Sequence, residues 1–297
     1  MGAEELRYDR RPAVTRPVLI CSFRGWNDGG QGASLAGSFL ARSWRAEQFA
    51  DIDPELFFDF QMTRPHVSIV NDERQIDWPE NSFHHAHLPQ TGDGPRDLLL
   101  LLGTEPSLRW RAFTGLVTAV AAEFGVSMVV TLGSLLADVP HTRPAPVTAS
   151  ASDARVLEEL GLQASRYEGP TGMVGVLHDA CRQADIPSVS LWAAVPHYVQ
   201  LTPSPRAAKA LCDRLATLLD VPLDTTDLEH AAKEYTQQVS EAVAADEETA
   251  AYVDELESRV EEIEEELPSG ETLAAELTRF LREREQGNDP PPPPSAQ

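Results

Sequence analysis

Three groups of side chains in this 297-residue chain have types and spacing that could support chemistry. The first is the glycine-rich stretch Gly25, Asn27, Asp28, Gly29 and Gly30, which follows an apolar run at 18–23 and precedes a helical pattern from 33 to 45. In that setting backbone N–H groups and a helix N-terminus can hold an anion. The spacing matches neither GxGxxG nor GxxxxGK[ST], no lysine is near, and Asp28 would repel phosphate, so a purely structural turn is favoured over ligand contact. The second group is Gly103 and Glu105 at the end of another apolar run. Glu105 could orient a sugar hydroxyl or accept a proton, or it could cap the following helix or pair with Arg24 or Arg109.

The third group, Asp138, His141 and Arg143, brings an acid, a proton switch and an anion binder into one loop stiffened by Pro140, Pro144 and Pro146. A structural or subunit-interface role is favoured over ligand binding, and ligand binding over catalysis. G-x-S-x-G is absent: Ser134, in LGSLLA, lacks the second glycine, so no nucleophile at a strained elbow is in evidence and no catalytic residue is assigned. His84, His85 and His87 resemble a ligand set, but on a strand only His85 and His87 share a face, so a third ligand would have to come from elsewhere; no metal and no cofactor is expected. Cys21, Cys181 and Cys212, with no CxxC spacing, read as small buried hydrophobes. Trp192, His197 and Tyr198 read as core or interface aromatics before pocket lining.

The elements that must position these groups alternate. VLICSF at 18–23, DLLLLLG at 97–103, SMVVTLG at 127–133 and SVSLWAAV at 188–195 are apolar on both faces, as strands covered on two sides must be. Helical spacing follows at 33–45, 110–124, 153–160, about 172–183 and 205–219, with Asp153 an N-cap and Gly161 a stop. Four further runs, at 57–60, 66–70, 74–78 and 83–88, read as short strands of an antiparallel or mixed excursion, and 147–150 as another. The pattern predicts an α/β fold with a largely parallel or mixed central sheet flanked by helices over residues 16–222, after a flexible N-terminus at 1–15. Ligand-binding groups in such sheets lie beyond the strand carboxyl ends, here at Gly25, Gly103, Gly133 and Pro196.

Beyond residue 222 the character changes. Residues 223–286 read as an acidic α-helical appendage and 287–297 as a disordered proline-rich tail. Between 241 and 286, sixteen acidic side chains stand against four arginines, so this stretch carries about half of the net charge of −23. Val253, Leu256, Val260, Ile263 and Leu267 form a short heptad stripe, and a second helix is predicted over 271–284. The acidic balance argues against nucleic acid as a partner. The opening residues lack the apolar stretch of a signal peptide and no run of about 18 apolar residues occurs, so a cytoplasmic location without membrane contact is predicted.

Five segments read together, FRGWNDGGQGAS at 23–34, LLGTEP at 101–106, TLGSLLADVPHTRP at 131–144, YEGPTGMVGVL at 167–177 and LWAAVPHYV at 191–199, resemble in identity and order the actinobacterial type of the proteasome assembly chaperone, subunit-two-like family. The resemblance implies a nucleoside-phosphorylase-like fold used without established enzymatic activity. It also implies a protein partner, proteasome-related, and a homo-oligomer, with a trimer among the assemblies allowed. Relatives that dock through a C-terminal hydrophobic-Tyr-any signal differ from this sequence, which ends Ser295, Ala296, Gln297. The alternative is a small-molecule binding protein or enzyme holding a nucleoside-like or anionic ligand at the strand-end loops. A third reading makes the acidic helices a recruiting arm for a basic partner.

Overall fold

The computed structural model describes residues 5–88, 94, 96–162, 165 and 167–266, with side chains as far as 262 in the last helix. The helix predicted over 271–284, the proline tail, and Ile263 and Leu267 of the heptad stripe lie outside that description. Ten strands and seven α-helices occur in the described residues. They are β1 (Leu6–Tyr8), β2 (Val18–Arg24), α1 (Gly32–Ser43), β3 (Glu47–Ile52), β4 (His66–Val70), β5 (Glu73–Asp77), β6 (Asn81–His87), β7 (Asp97–Thr104), α2 (Trp110–Glu123), β8 (Met128–Ala137), β9 (Val147–Ala151), α3 (Ala154–Glu159), α4 (Met173–Gln183), β10 (Ser188–Pro196), α5 (Pro205–Leu219), α6 (Thr226–Ala244) and α7 (Glu247–Glu266).

Eight strands form one sheet in the order β1-β3-β6-β7-β2-β8-β10-β9, and β4 and β5 form a separate two-stranded ribbon. The four central strands β7, β2, β8 and β10 are parallel, while β9 on one side and β6, β3 and β1 on the other each pair antiparallel with the neighbour before them. Side chains along β2 alternate between two apolar layers. Val18 and Ile20 pack with Ala36 and Leu40 of α1 and Leu211 and Leu215 of α5. Leu19, Cys21 and Phe23 pack with Phe113 and Val117 of α2 and Met173 and Leu177 of α4. Burial on both faces is why these strands are continuous apolar runs.

Several predicted elements are corrected. FFDF is not a strand: Asp53 accepts the Glu55 N–H at 3.0 Å and Pro54 opens a 3-10 turn, after which Phe57 and Phe58 bury their rings in the core. Gly133 does not end its strand, because β8 runs on to Ala137. The glycine there admits the Trp192 ring, which an added Cβ would meet at 2.6 Å. Gly103 likewise lies inside β7. Two strands went unread: β3, and β1, which pairs with it, so that Leu6–Tyr8 belong to the sheet.

The described residues divide into two compact units, one up to Ala245 and one from Asp246 onward. Within the first, α6 packs on α5, burying Leu228 and Tyr235, and Tyr235 donates its hydroxyl to the Leu201 carbonyl at 3.1 Å. In the second, α7 is an acidic helix whose first turn is closed by Asp246 accepting the Thr249 N–H at 2.7 Å. No described helix is long and apolar enough to cross a membrane.

Candidate functional site

The loop joining β2 to α1 sits at the carboxyl edge of the parallel strands, where the sequence placed it, and its polar groups are turned inward. Asp28 accepts the N–H groups of Ala33 at 2.9 Å and Ser34 at 3.0 Å, so its carboxylate occupies the α1 N-terminus that an anion would need. The Ser134 hydroxyl donates to the same oxygen at 3.4 Å. Burial raises the Asp28 pKa, against the lowering effect of these hydrogen bonds. The N–H groups of Trp26, Asp28, Gln31, Gly32, Ala33 and Ser34 all have internal acceptors. Gly30 takes φ +59°, with Val195 2.9 Å from where a Cβ would stand, and its carbonyl accepts the Ser204 N–H at 2.7 Å.

Glu105 does not cap the helix that follows it. Its carboxylate crosses to α4, accepting the Met173 N–H at 2.6 Å, the Asn27 side-chain amide at 2.7 Å and the Trp26 N–H at 3.2 Å. Gly172 is the residue over which this happens: a Cβ there would fall 2.2 Å from Asn27 Nδ2 and 2.5 Å from Glu105 Oε1. Arg109, offered as a partner for Glu105, pairs instead with Glu5 at 3.0 Å.

The third group separates. His141 is buried: Tyr198 Oη accepts its backbone N–H at 2.8 Å and lies 2.8 Å from Nδ1, while Nε2 is 3.0 Å from the Ser240 hydroxyl on α6. Each ring nitrogen of His141 therefore faces a hydroxyl, Nδ1 that of Tyr198 and Nε2 that of Ser240. Asp138, exposed, pairs with His197 at 3.2 Å. Arg206 donates to the Arg143 carbonyl and, at 2.7 Å, to Thr236, so the loop is fastened to α5 and α6. Gly25, Asn27 and Glu105 are thus brought together, Asp28 joins Ser134, and Asp138 and His141 take different partners. The arrangement holds loops in place and presents no assembled nucleophile and base.

A family model described as the PAC2 family matches residues 22–243. The chain belongs to the PAC2 family. A PAC2 family protein of Streptomyces avermitilis is 46% identical, with 80% of this chain and 99% of that one covered and a TM-score of 0.74. A proteasome-assembly chaperone homologue of Mycobacterium tuberculosis is 42% identical over 80% of this chain and 99% of its own, with a TM-score of 0.72. A second M. tuberculosis protein, of unknown function, is 27% identical with a TM-score of 0.80, covering 90% and 94% of the two chains. No curated protein matches.

The PAC2 domain holds two further polar features. On one face of β6, His84 lies 3.0 Å from the Ser82 hydroxyl and borders a cleft of about 790 Å³, with Ser22, Gln48, Trp78 and Gly103 also in its wall. On the other face, His85 and His87 are joined by Asp97 of β7, the residue directly opposite His87 in the ladder. The sequence shows that those two histidines share a face but not the parts of Asp97, Ser240 and the Met173 N–H, and Tyr198, read there as a core or interface aromatic, was not linked to His141. A carboxylate opening the strand DLLLLLG was the one signal within reach, since a charged residue there needs a partner. Cys21, Cys181 and Cys212 are buried and free, as read, and burial pushes the Cys181 thiol up to about 11.

Proposed function

We propose that this chain is a non-catalytic, homo-oligomeric scaffold that binds protein partners, proteasome subunits first among them. The observation that carries the reading is the β4–β5 ribbon. It pairs with no other strand of the sheet, yet it exposes Val67 by 60%, Ile69 by 69% and Ile76 by 57%. Val67 and Ile76 are directly opposite each other and Ile69 lies two residues along, so the three share one face. A two-stranded ribbon is marginal alone in water, and a contiguous apolar face on one is a surface to be covered. The relative described as a proteasome-assembly chaperone homologue supplies the kind of partner.

The test compares the wild-type chain with Val67→Asp/Ile69→Asp in light-scattering mass measurements and in binding to purified proteasome subunits of the host. The expected result is an oligomer that captures those subunits, with one or both properties lost in the variant. A monomer that captures none of them would sink the reading. The cleft beside His84 favours a second reading, a small ligand. Asp51, Asp77 and Glu80 outnumber Arg24 in its wall, so a neutral polar ligand fits better than the anionic one first considered. A thermal shift with nucleosides that disappears in His84→Ala would favour it.

A further inference from the structure

We propose that His85, His87 and Asp97 bind one divalent transition-metal ion of the zinc class, a site independent of the protein-binding face. His85 and His87 are two residues apart on β6 and point to one side of the sheet, and Asp97 opens the neighbouring antiparallel strand in register with His87. One donor atom from each lies within 4.8 Å of the others. His85 Nε2 is 3.4 Å from Asp97 Oδ1. Bonds of about 2.0–2.2 Å in a tetrahedron set the ligand-to-ligand edge at roughly 3.3–3.6 Å, so that pair already has the spacing of two ligands on one ion.

The independent sign of a missing partner is the His85 ring. Its Nε2 is buried and makes no hydrogen bond, although it faces the carboxylate. A buried polar atom left in that state keeps an uncompensated desolvation cost, which coordination would relieve. Asp97 is held ready: its Oδ2 accepts the Thr15 N–H at 2.6 Å, leaving Oδ1 for the histidines, and such outer contacts commonly orient metal ligands. His87 Nδ1 sits 2.5 Å from Oδ1 as a direct hydrogen bond, too close for two ligands. Its side chain is 79% exposed, so the ring is free to swing outward by the roughly 1 Å that an ion requires. Glu47, opposite His85 on β3, pairs with Arg10 at 2.7 Å, so that arginine's charge is balanced beside the site.

Two imidazoles and one carboxylate favour zinc, cobalt(II) or nickel over magnesium and calcium, which prefer all-oxygen shells. The exposed side at His87 leaves the fourth position to water. An ion here would join β6 to β7 and, through Thr15, to the segment entering β2.

The test uses the untagged full-length chain, stripped with chelator and titrated calorimetrically with zinc chloride. Visible absorption of the cobalt(II) form and melting temperature are followed in parallel. The expected result is one equivalent bound, tetrahedral cobalt bands and a raised melting temperature. All should be lost or weakened at least about tenfold in His87→Ala and in Asp97→Asn, and unchanged in His66→Ala, which alters a histidine on the ribbon. His87 is exposed, so its variant is expected to fold, and circular dichroism checks that it does. A wild type that takes up no stoichiometric zinc, or a His87→Ala protein that binds it equally well, overturns the proposal.

Discussion

Glu105 Oε1 lies 2.6 Å from the backbone nitrogen of Met173, 68 residues later in the chain, and so ties the end of one central strand to the start of the helix that covers another. The same oxygen takes the Asn27 amide, which fixes the glycine loop to both. Charge-assisted hydrogen bonds to buried or half-buried partners contribute roughly 1.5–3 kcal/mol. Glu105→Ala is therefore expected to lower stability by about 2–3 kcal/mol in denaturant titration, and Glu105→Gln by less, since an amide oxygen in the place of Oε1 can still accept from both Met173 and Asn27, and only the Trp26 bond at Oε2 is lost. Equal, negligible losses would show that the contact does not hold the loop.

His141 and Asp138 were grouped by sequence, and the structure makes them unequal. His141 is enclosed between Tyr198 and Ser240, whereas the Asp138 side chain is 69% exposed beside His197. Exposed ion pairs are worth little, while truncating a buried hydrogen-bonded ring leaves its partners unsatisfied. His141→Ala should cost about 2–3 kcal/mol and Asp138→Ala less than about 0.5 kcal/mol, measured by thermal unfolding of the two single variants.

What could be read from sequence follows burial. The strands β2, β7, β8 and β10 were legible because helices cover both faces and every position is apolar. β1 and β3 were not, because LRY and EQFADI are short and mix exposed polar with buried apolar residues near the sheet edge. FFDF was misread because aromatic side chains that fill a core from a turn look like strand residues, and only the Asp53-Pro54 pair marks the turn. Gly25, Glu105 and Asp138 do follow strand ends, whereas Gly103 and Gly133 lie within strands; the partners Met173, Tyr198 and Ser240 come from distant elements, and no local spacing encodes such a meeting. Asp97 needed the β6–β7 register, which sequence does not supply.

Acidification should weaken the fold through two half-buried histidines. Burial lowers the pKa of both His84 and His178, so the folded chain resists their protonation while the unfolded chain accepts it at the ordinary value near 6.5. The unfolded state then binds more protons, and stability falls as pH drops through about 6.5 toward the lowered folded values. Asp28 works in the opposite sense at lower pH: burial raises its pKa, so protonation favours the folded state. Denaturant titrations of the metal-free protein between about pH 7.5 and 5 should show the histidine slope flattened in His84→Gln/His178→Gln. The variant comparison removes the general easing of a net charge of −23 on acidification. Identical slopes in the two proteins would refute the assignment.

Two glycines should respond to alanine with opposite signs. Gly30 adopts φ +59°, and a Cβ there would lie 2.9 Å from Val195 Cγ1, so Gly30→Ala meets both backbone strain and a packed side chain. A loss of about 1–3 kcal/mol is expected, with the loop displaced from β10. Gly115 is inside α2 with nothing within 4 Å of an added Cβ. There alanine adds no clash and removes the conformational freedom that glycine has in the unfolded chain, so Gly115→Ala should gain about 0.5–1 kcal/mol. Urea unfolding of the two single variants reads both signs directly. A stabilised Gly30→Ala protein would mean that the β2–α1 loop is free to rearrange and that its inward hydrogen bonds do not define it.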